Sequence, residues 1–550
     1  VVKTKSGKVR GQIQPSNIQG ISVQKFLNIP YAEAPIGQLR FEKPQPKKPW
    51  NGTLNSTETR IACFQKYSSG LKLTEDCLVL NIWVPFPTPT NATVMVYIHG
   101  GSFTSGDAQQ NNGANFVAIG DVILVTMNYR LSMLGFLTTG DRRIKGNFGL
   151  YDQRLAMKWV KENIAAFGGN PKTITLFGLS AGAASVSAHT LSKGSWPYFD
   201  RVILQSGNML NPWTLLSQTD VKTMTKEVLK ALNCTNDENV LTCLKTNVTQ
   251  EMLEKIYKTQ PFSLQPLQFS PSVDQDFLED HPFKLFGTGR VKNSSIILGV
   301  TKDEMYYRND RILWQTRNIT VITQNFKRIV RTSQLFKDKP AEVSEYAIEL
   351  YLPKCIPTFL EALRPTVDIA SDFTFTCGIR QEAILRSKMM HDVYLYRYSY
   401  ATPVPFSAYP QGQFGFAAHG ADVLSSFGYV INNPIFPAED QILSLRIILY
   451  WTNFAKTGNP NTGKTKLPLV LNNVEILPRW PPHSSSKEEY LDMRSLSQMV
   501  VETKLREKYC EFLMNPEDVS TRAKTNTGCC GKSHTGLFLL FGIASLYYNF

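Results

Sequence analysis

Six short apolar runs punctuate the chain: "TVMVYIHGG" at 93–101, "DVILVTMNYR" at 121–130, "KTITLFGLS" at 172–180, "RVILQSG" at 201–207, "SSIILGVTKDE" at 294–304 and "DVYLYRYSY" at 392–400. Each is rich in β-branched or aromatic residues and ends in Gly or polar residues, the pattern of a strand buried in a sheet. Between the second and third, "YDQRLAMKWVKENIAAFGG" at 151–169 sets Leu155, Trp159 and Ile164 at helical spacing and closes on Gly-Gly, which predicts an amphipathic helix with a sharp stop. A second helix, of small residues, is expected directly after Ser180. Strand, helix, strand, helix is the rhythm of a doubly wound α/β fold, a large and mostly parallel sheet flanked by helices. The stretches at about 210–290 and 310–390 read as helical and irregular insertions over that sheet. No linker divides the chain before about residue 514, so a single domain over 1–514 is expected.

Beyond it the pattern changes. Residues 515–535 are polar and contain the small residues "NTGCCG" at 526–531 and the spacer "KSHT"; residues 536–550, "GLFLLFGIASLYYNF", are apolar. Fifteen or so apolar residues fall short of the about 20 that a membrane helix needs. Small residues, a polar spacer and an apolar tail fit a glycolipid-anchor signal removed on attachment, with cleavage expected near Asn526 to Gly528 and loss of Cys529 and Cys530.

The whole chain has 550 residues, 42% hydrophobic and 11% aromatic, without low-complexity runs or solenoid repeats, which excludes a disordered chain. Its formal charge of +14 is scattered, with no long basic block and no nucleic-acid motif, so it reads as a solvated surface and no nucleic-acid partner is expected. None of the nine cysteines has zinc spacing, and no metal is expected. N-x-S/T sequons occur at Asn51, Asn55, Asn91, Asn233, Asn247, Asn293 and Asn318. With the cysteines they favour an oxidising, secretory route, and the N-terminus reads as already processed.

Chemistry enters at "FGLSAG". Gly-x-Ser-x-Gly is a weak motif alone, but here it follows a strand and precedes a helix, as a nucleophile elbow requires. Gly178 and Gly182 are small where the turn brings backbones together, and the helix N-terminus points at the place where an oxyanion would form. "YIHGGSF" at 97–103 is a Gly-rich loop leaving another strand, so the N–H groups of Gly101 and Ser102 are expected to act beside that of Ala181. A serine needs a base, and His281, His391, His419, His483 and His534 follow it at a distance. His419, in the small-residue loop "FGFAAHGADVL" after a strand, is placed to reach the sheet edge. For the acid, Asp303 and Glu304 both stand directly after a strand, and either could serve.

In order along residues 1–514 the motifs "NIPYAEAPIGQLRF", "TEDCLVLNIWVP", "HGGSF", "GNFGLYDQRLAMKWVKENIAAFGGNP", "FGLSAGAAS", "KDEMY" and "AAHGAD" resemble the type-B carboxylesterase and cholinesterase family of α/β-hydrolases. The resemblance implies Ser180 as nucleophile, Glu304 as acid and His419 as base. It also implies the disulfides Cys63–Cys77, Cys234–Cys243 and Cys377–Cys510, with Cys355 unpaired. Three departures matter. Ser102 replaces the third glycine of the oxyanion motif, Leu179 replaces an acid common beside the nucleophile, and the short Cys63–Cys77 loop holds no Trp to meet a quaternary ammonium. The expectation is therefore a cofactor-free serine esterase cleaving uncharged carboxylic esters through an acyl-enzyme, glycosylated, secreted or cell-surface, and tied to the membrane only by the glycolipid. Its alternatives are a cholinesterase or lipase of the same family, or a catalytically silent adhesion or carrier protein. "GNPNTGKT" at 458–465 matches a phosphate-binding loop, but a helix precedes it where a strand is needed, so it reads as a helix stop and turn.

Overall fold

The computed structural model describes residues 1–58, 61–66, 70–236, 239–259, 269–306, 317–333, 335–404, 415–463 and 477–516. The tail with its expected cleavage site, His534, and parts of the two insertions (260–268, 307–316 and 334) lie outside the described residues.

An eleven-stranded mixed sheet is the frame. Its strands are β1 (Gln12–Pro15), β2 (Ser22–Pro30), β3 (Val79–Pro85), β4 (Ala92–Ile98), β5 (Ile123–Met127), β6 (Gly169–Leu179), β7 (Arg201–Gln205), β8 (Ile296–Thr301), β9 (Val393–Tyr398), β10 (Glu489–Met493) and β11 (Met499–Thr503). They lie side by side as β11-β10-β9-β8-β7-β6-β4-β5-β3-β2-β1. From β5 to β10 neighbouring strands are parallel, and both edges turn antiparallel. All six predicted runs are strands of its parallel part.

The chain leaves β4 towards β5 on one side and returns as β6 on the other. Strand order therefore reverses between β4 and β6, and loops leaving their carboxyl ends diverge to open a crevice.

The helices that bear on the site or its frame are α1 (Ala114–Gly120), α2 (Phe148–Asn163), α3 (Ala181–Leu191), α4 (Phe359–Ser371), α5 (Cys377–Lys388), α6 (Ala438–Thr457) and α7 (Glu507–Met514). Residue alternation sorts the core into two layers. Val94, Val96, Ile174, Leu176, Val202, Leu204, Ile296 and Leu298 face one layer, which holds Met157 and Val160 of α2 and Ala183, Ala184 and Val186 of α3. Met95, Tyr97, Phe177, Ile203, Ile297 and Tyr396 face the other, under Phe116 of α1 and Leu443, Ile447 and Trp451 of α6. Burying each Val, Leu, Ile, Met or Phe among them contributes roughly 1.5–3 kcal/mol, so the middle of the sheet is rigid enough to hold chemistry at its edge. The predicted helix at 151–169 begins earlier, at Phe148, and closes in a 3₁₀ turn, Ile164–Phe167, before Gly168 turns left-handed at φ 83°.

The insertions mix helices with irregular stretches, as expected; the helices are Gln218–Ala231, Val240–Thr246, Gln250–Thr259 and Pro282–Gly287 in the first and Ile319–Thr332, Ala341–Tyr351 and α4 in the second. The disulfides are Cys63–Cys77, Cys234–Cys243 and Cys377–Cys510, and Cys355 is exposed and unpaired, as the family resemblance implied. Closing the short Cys63–Cys77 loop contributes about 3 kcal/mol in the chain-entropy model. All seven sequon asparagines are exposed. Among the described residues no helix is long and apolar enough to cross a membrane.

Candidate active site

Four glycines clear the ground around Ser180. A β-carbon on Gly182 would lie 2.0 Å from the Ile98 carbonyl oxygen, and one on Gly178 would lie 2.6 Å from the Gly182 carbonyl carbon. One on Gly100 would meet Leu179 O at 2.7 Å, and one on Gly207 would meet Ser180 O at 2.3 Å. All of these obstacles are backbone, which cannot rotate away. The ends of β4, β6 and β7 thus pinch a turn in which Ser180 takes φ 58° and ψ −124°. A non-glycine residue there costs about 1–3 kcal/mol. Its N–H donates to Gln205 O at 2.9 Å, and α3, buried along its whole length, holds the far side.

Facing the turn is the loop after β4. Gly101 takes φ 110° and Ser102 φ 54°, and the N–H groups of Thr104 and Ser105 both close on Gly101 O at 2.9 Å. Among the described residues none accepts the N–H of Gly101, Ser102 or Ala181. The loop is framed from beneath. His99 stacks on Tyr129 with ring centroids 4.4 Å apart, Tyr129 donates its hydroxyl to His99 O, and burial lowers the imidazole pKa, so His99 is neutral. The Gln65 amide pairs with both the N–H and the carbonyl of Gly106 at 2.9 Å, which sequence reading missed.

Two strands away, after β8, Glu304 is fully buried; its Oε1 accepts Thr301 N–H at 2.8 Å and its Oε2 lies 2.5 Å from His419 Nδ1. The bond to Glu304 places the ring proton on Nδ1 and leaves Nε2 to accept. Asp303, the other expected acid, does not reach the imidazole: it accepts Ala417 N–H at 2.9 Å and pairs with Arg364. The other described histidines are engaged elsewhere or exposed. His281 is exposed and stacks on Phe283, while burial pushes His391 and His483 down to about 4, His483 hydrogen-bonding Ser387. His189, inside α3, bonds Ser195 and Gln153 and is kept neutral by burial.

Sequence reading also missed the aromatic wall. Phe375 lies 4.7 Å from the His419 ring, Trp213 5.6 Å from Phe375, and Phe103 6.3 Å from Trp213. Phe375 belongs to Asp372–Thr376, a turn of π-helix between α4 and α5, and is tied down by Asn211 and Trp213, which donate to Phe375 O and Thr374 O. Leu179 is half-buried and packs on the cluster that holds Phe177 and Tyr396. The acid nearby is Asp422, three residues past His419. It accepts from Gln205 and Tyr396, and its pKa is raised by burial and by the charge of Glu304, against the pull of His419. Among the described residues no three His, Cys, Asp or Glu gather as metal ligands. "GNPNTGKT" starts where α6 stops, at Gly458 in the left-handed conformation; its residues 464–465 lie outside the described ones.

The sequence profile of the carboxylesterase family matches residues 1–513. The chain is 33% identical to a cholinesterase of Mus musculus over 543 residues, which covers 93% of this chain and 86% of that protein. It is 33% identical to an acetylcholinesterase of Bungarus fasciatus over 539 residues, 93% of this chain and 85% of that protein.

The pinched turn predicts a specific sensitivity. Gly182→Ala drives a methyl into the Ile98 carbonyl and must shift the turn against the loop after β4; a displacement of about 1 Å costs roughly 100-fold in rate. Activity is expected to fall at least that far, with a lower Tm. Gly20→Ala, at φ 77° with open space around it, is expected to cost about 1–2 kcal/mol of stability and no activity. Equal turnover in the two variants, measured per folded protein, is the result that contradicts this geometry.

Proposed function

Because the chain belongs to the carboxylesterase family and is a serine hydrolase of carboxylic esters, we propose that Ser180, His419 and Glu304 carry the reaction and that its substrates are uncharged esters. The observation that carries the assignment is the 2.5 Å contact from Glu304 to His419 Nδ1 at the same sheet edge as the strained serine. Ser180 Oγ attacks the ester carbonyl while His419 Nε2 takes its proton, and Glu304 holds the imidazolium in place. The N–H groups of Gly101, Ser102 and Ala181, left without protein acceptors among the described residues, receive the oxyanion. His419 returns the proton to the departing alcohol; water then attacks the acyl-enzyme by the same route. The acyl group rests against Trp213, Phe375 and Phe103.

Neutral substrates are favoured by the surroundings of the serine. Leu179 supplies no charge at the position beside it, and the Cys63–Cys77 loop contains no Trp to receive a quaternary ammonium. The relatives' names keep choline esters as the competing reading. The three disulfides fit an oxidising compartment, and the exposed sequons, together with the composition of 526–550, support a glycosylated cell-surface protein on a glycolipid anchor.

Four measurements test these assignments. An active-site phosphonate should label Ser180 in the wild type, and His419→Gln should lower kcat by roughly 10⁴-fold while the protein stays folded. Absence of labelling in folded protein points instead to a silent adhesion or carrier protein. Leu179→Glu should shift the kcat/KM ratio of acetylthiocholine to a neutral thioester of equal size about tenfold towards the cation, more at low salt, since a charge several ångströms away is worth about 1–4 kcal/mol. A wild-type ratio already favouring thiocholine overturns the neutral-ester reading. Phosphatidylinositol-specific phospholipase C should release the protein from cells; mature protein still carrying Phe550 contradicts the anchor.

A further inference from the structure

Asp303 is fully buried beside the acid and yet takes no part in the proton path. Its backbone N–H donates to Ala417 O at 3.0 Å and its Oδ2 accepts Ala417 N–H at 2.9 Å, a two-bond bridge to the residue two before His419. Its Oδ1 receives Arg364 Nη1 at 3.0 Å from the middle of α4. The Arg364 guanidinium also lies 5.0 Å over the ring of Phe416, and that ring stacks on Tyr306 at 3.9 Å. One short segment, 416–417, is thus gripped by three side chains, and the next backbone bond, His419 N–H to Glu304 O at 3.3 Å, belongs to the base itself.

We propose that Asp303 and Arg364 form a positioning pair for the base: the guanidinium holds the Asp303 carboxyl in place, Asp303 anchors Ala417, and that anchor sets where the His419 imidazole stands against Glu304. This rests on the assignment of His419 above. The physical demand is strict, because a working constellation must hold within about 0.5 Å, and residues on loops are harder to hold than residues on strands. A hydrogen bond to an ionised acceptor is roughly twice as strong as a neutral one, so the anchor depends on the charge of Asp303. Burial raises the Asp303 carboxyl; Arg364 first and Lys302 next oppose that, while Asp368 adds to it. Removing Arg364 leaves a buried carboxylate short of its main counter-charge, which takes up a proton and loosens its hold.

Arg364 has a side chain one-third exposed, so Arg364→Met can be made without opening the core. Its expected signature is a full complement of phosphonate-titratable Ser180, a KM for 4-nitrophenyl acetate within about twofold of wild type, and a kcat lowered about tenfold. Arg364→Lys should recover most of the loss, because a charge is restored. In protein labelled with ¹⁵N-histidine, the low-field Nδ1–H resonance of His419 should move or broaden in Arg364→Met and return in Arg364→Lys. Asp303→Asn, if it folds, should match Arg364→Met. An unchanged kcat, or a kcat that falls only in step with titratable sites while the resonance stays put, overturns the positioning role. Turnover by Ser180→Ala equal to wild type removes the catalytic assignment itself, and this inference with it. Inactive Ser180→Ala beside a silent Arg364→Met removes only the inference.

Discussion

The carbonyl oxygen of Ile98 stands 2.0 Å from the place where a β-carbon on residue 182 would go, and the rest of the site depends on that vacancy. Because Gly182 lets α3 press end-on against the tip of β4, the helix N-terminus and the loop leaving β4 share one small volume. The N–H of Ala181 comes from one side and those of Gly101 and Ser102 from the other. Helix N-termini favour negative charge, and backbone donors need no reorganisation when charge appears. The strain at Ser180 persists because several contacts over-determine it: the bond to Gln205, the wholly buried helix behind, and Gly207 pressed on its own carbonyl.

The opposite half of the site is built by carboxylates that share an address and divide the work. Glu304 folds back so that one oxygen closes the end of β8 on Thr301 N–H while the other meets the imidazole. Asp303, one residue earlier, faces Arg364 and the backbone of Ala417. Asp422 completes the group, answered by the neutral donors Gln205 and Tyr396 and pushed up by burial and by Glu304. Buried carboxylates repel one another, and the arrangement answers each differently: Asp303 meets a cation, Glu304 meets the imidazole and Asp422 meets two neutral donors.

This division marks the limit of what the residues alone disclose. Strands, the α/β winding, the elbow and the loop after β4 are local patterns, and each is where the sequence places it. The choice between Asp303 and Glu304 is not local: both stand at the same strand end, and what separates them is the path of 415–419, more than a hundred residues downstream. Only the family resemblance pointed in advance to Glu304, the one that meets His419. Phe375 was hidden because a π-helical turn inside an otherwise helical insertion re-aims it, and helical periodicity carries no mark of one extra residue per turn. Trp213, Gln65 and Gly207 act through contacts with segments distant in sequence, so no spacing within their own neighbourhoods announces them.

Charge gives the site its character at two ranges. Close in, the buried acids are each answered by a partner, and the residue next to Ser180, Leu179, is an apolar side chain resting on the aromatic layer under the sheet. Leu179 brings no charge to set against the water a quaternary ammonium gives up on burial, whereas a neutral alcohol group has little such water to lose. Farther out, the chain bears a formal charge of +14, and a field of that sign slows the approach of a cation and leaves a neutral ester unaffected. The two effects differ in their dependence on salt. The near one acts within a few ångströms and is screened only in part, while the far one fades beyond a Debye length of about 8 Å at physiological ionic strength. Discrimination between neutral and cationic esters is therefore expected to weaken as salt rises, steeply in the part set by the surface and less so in the part set at position 179, which lies within a few ångströms of the serine.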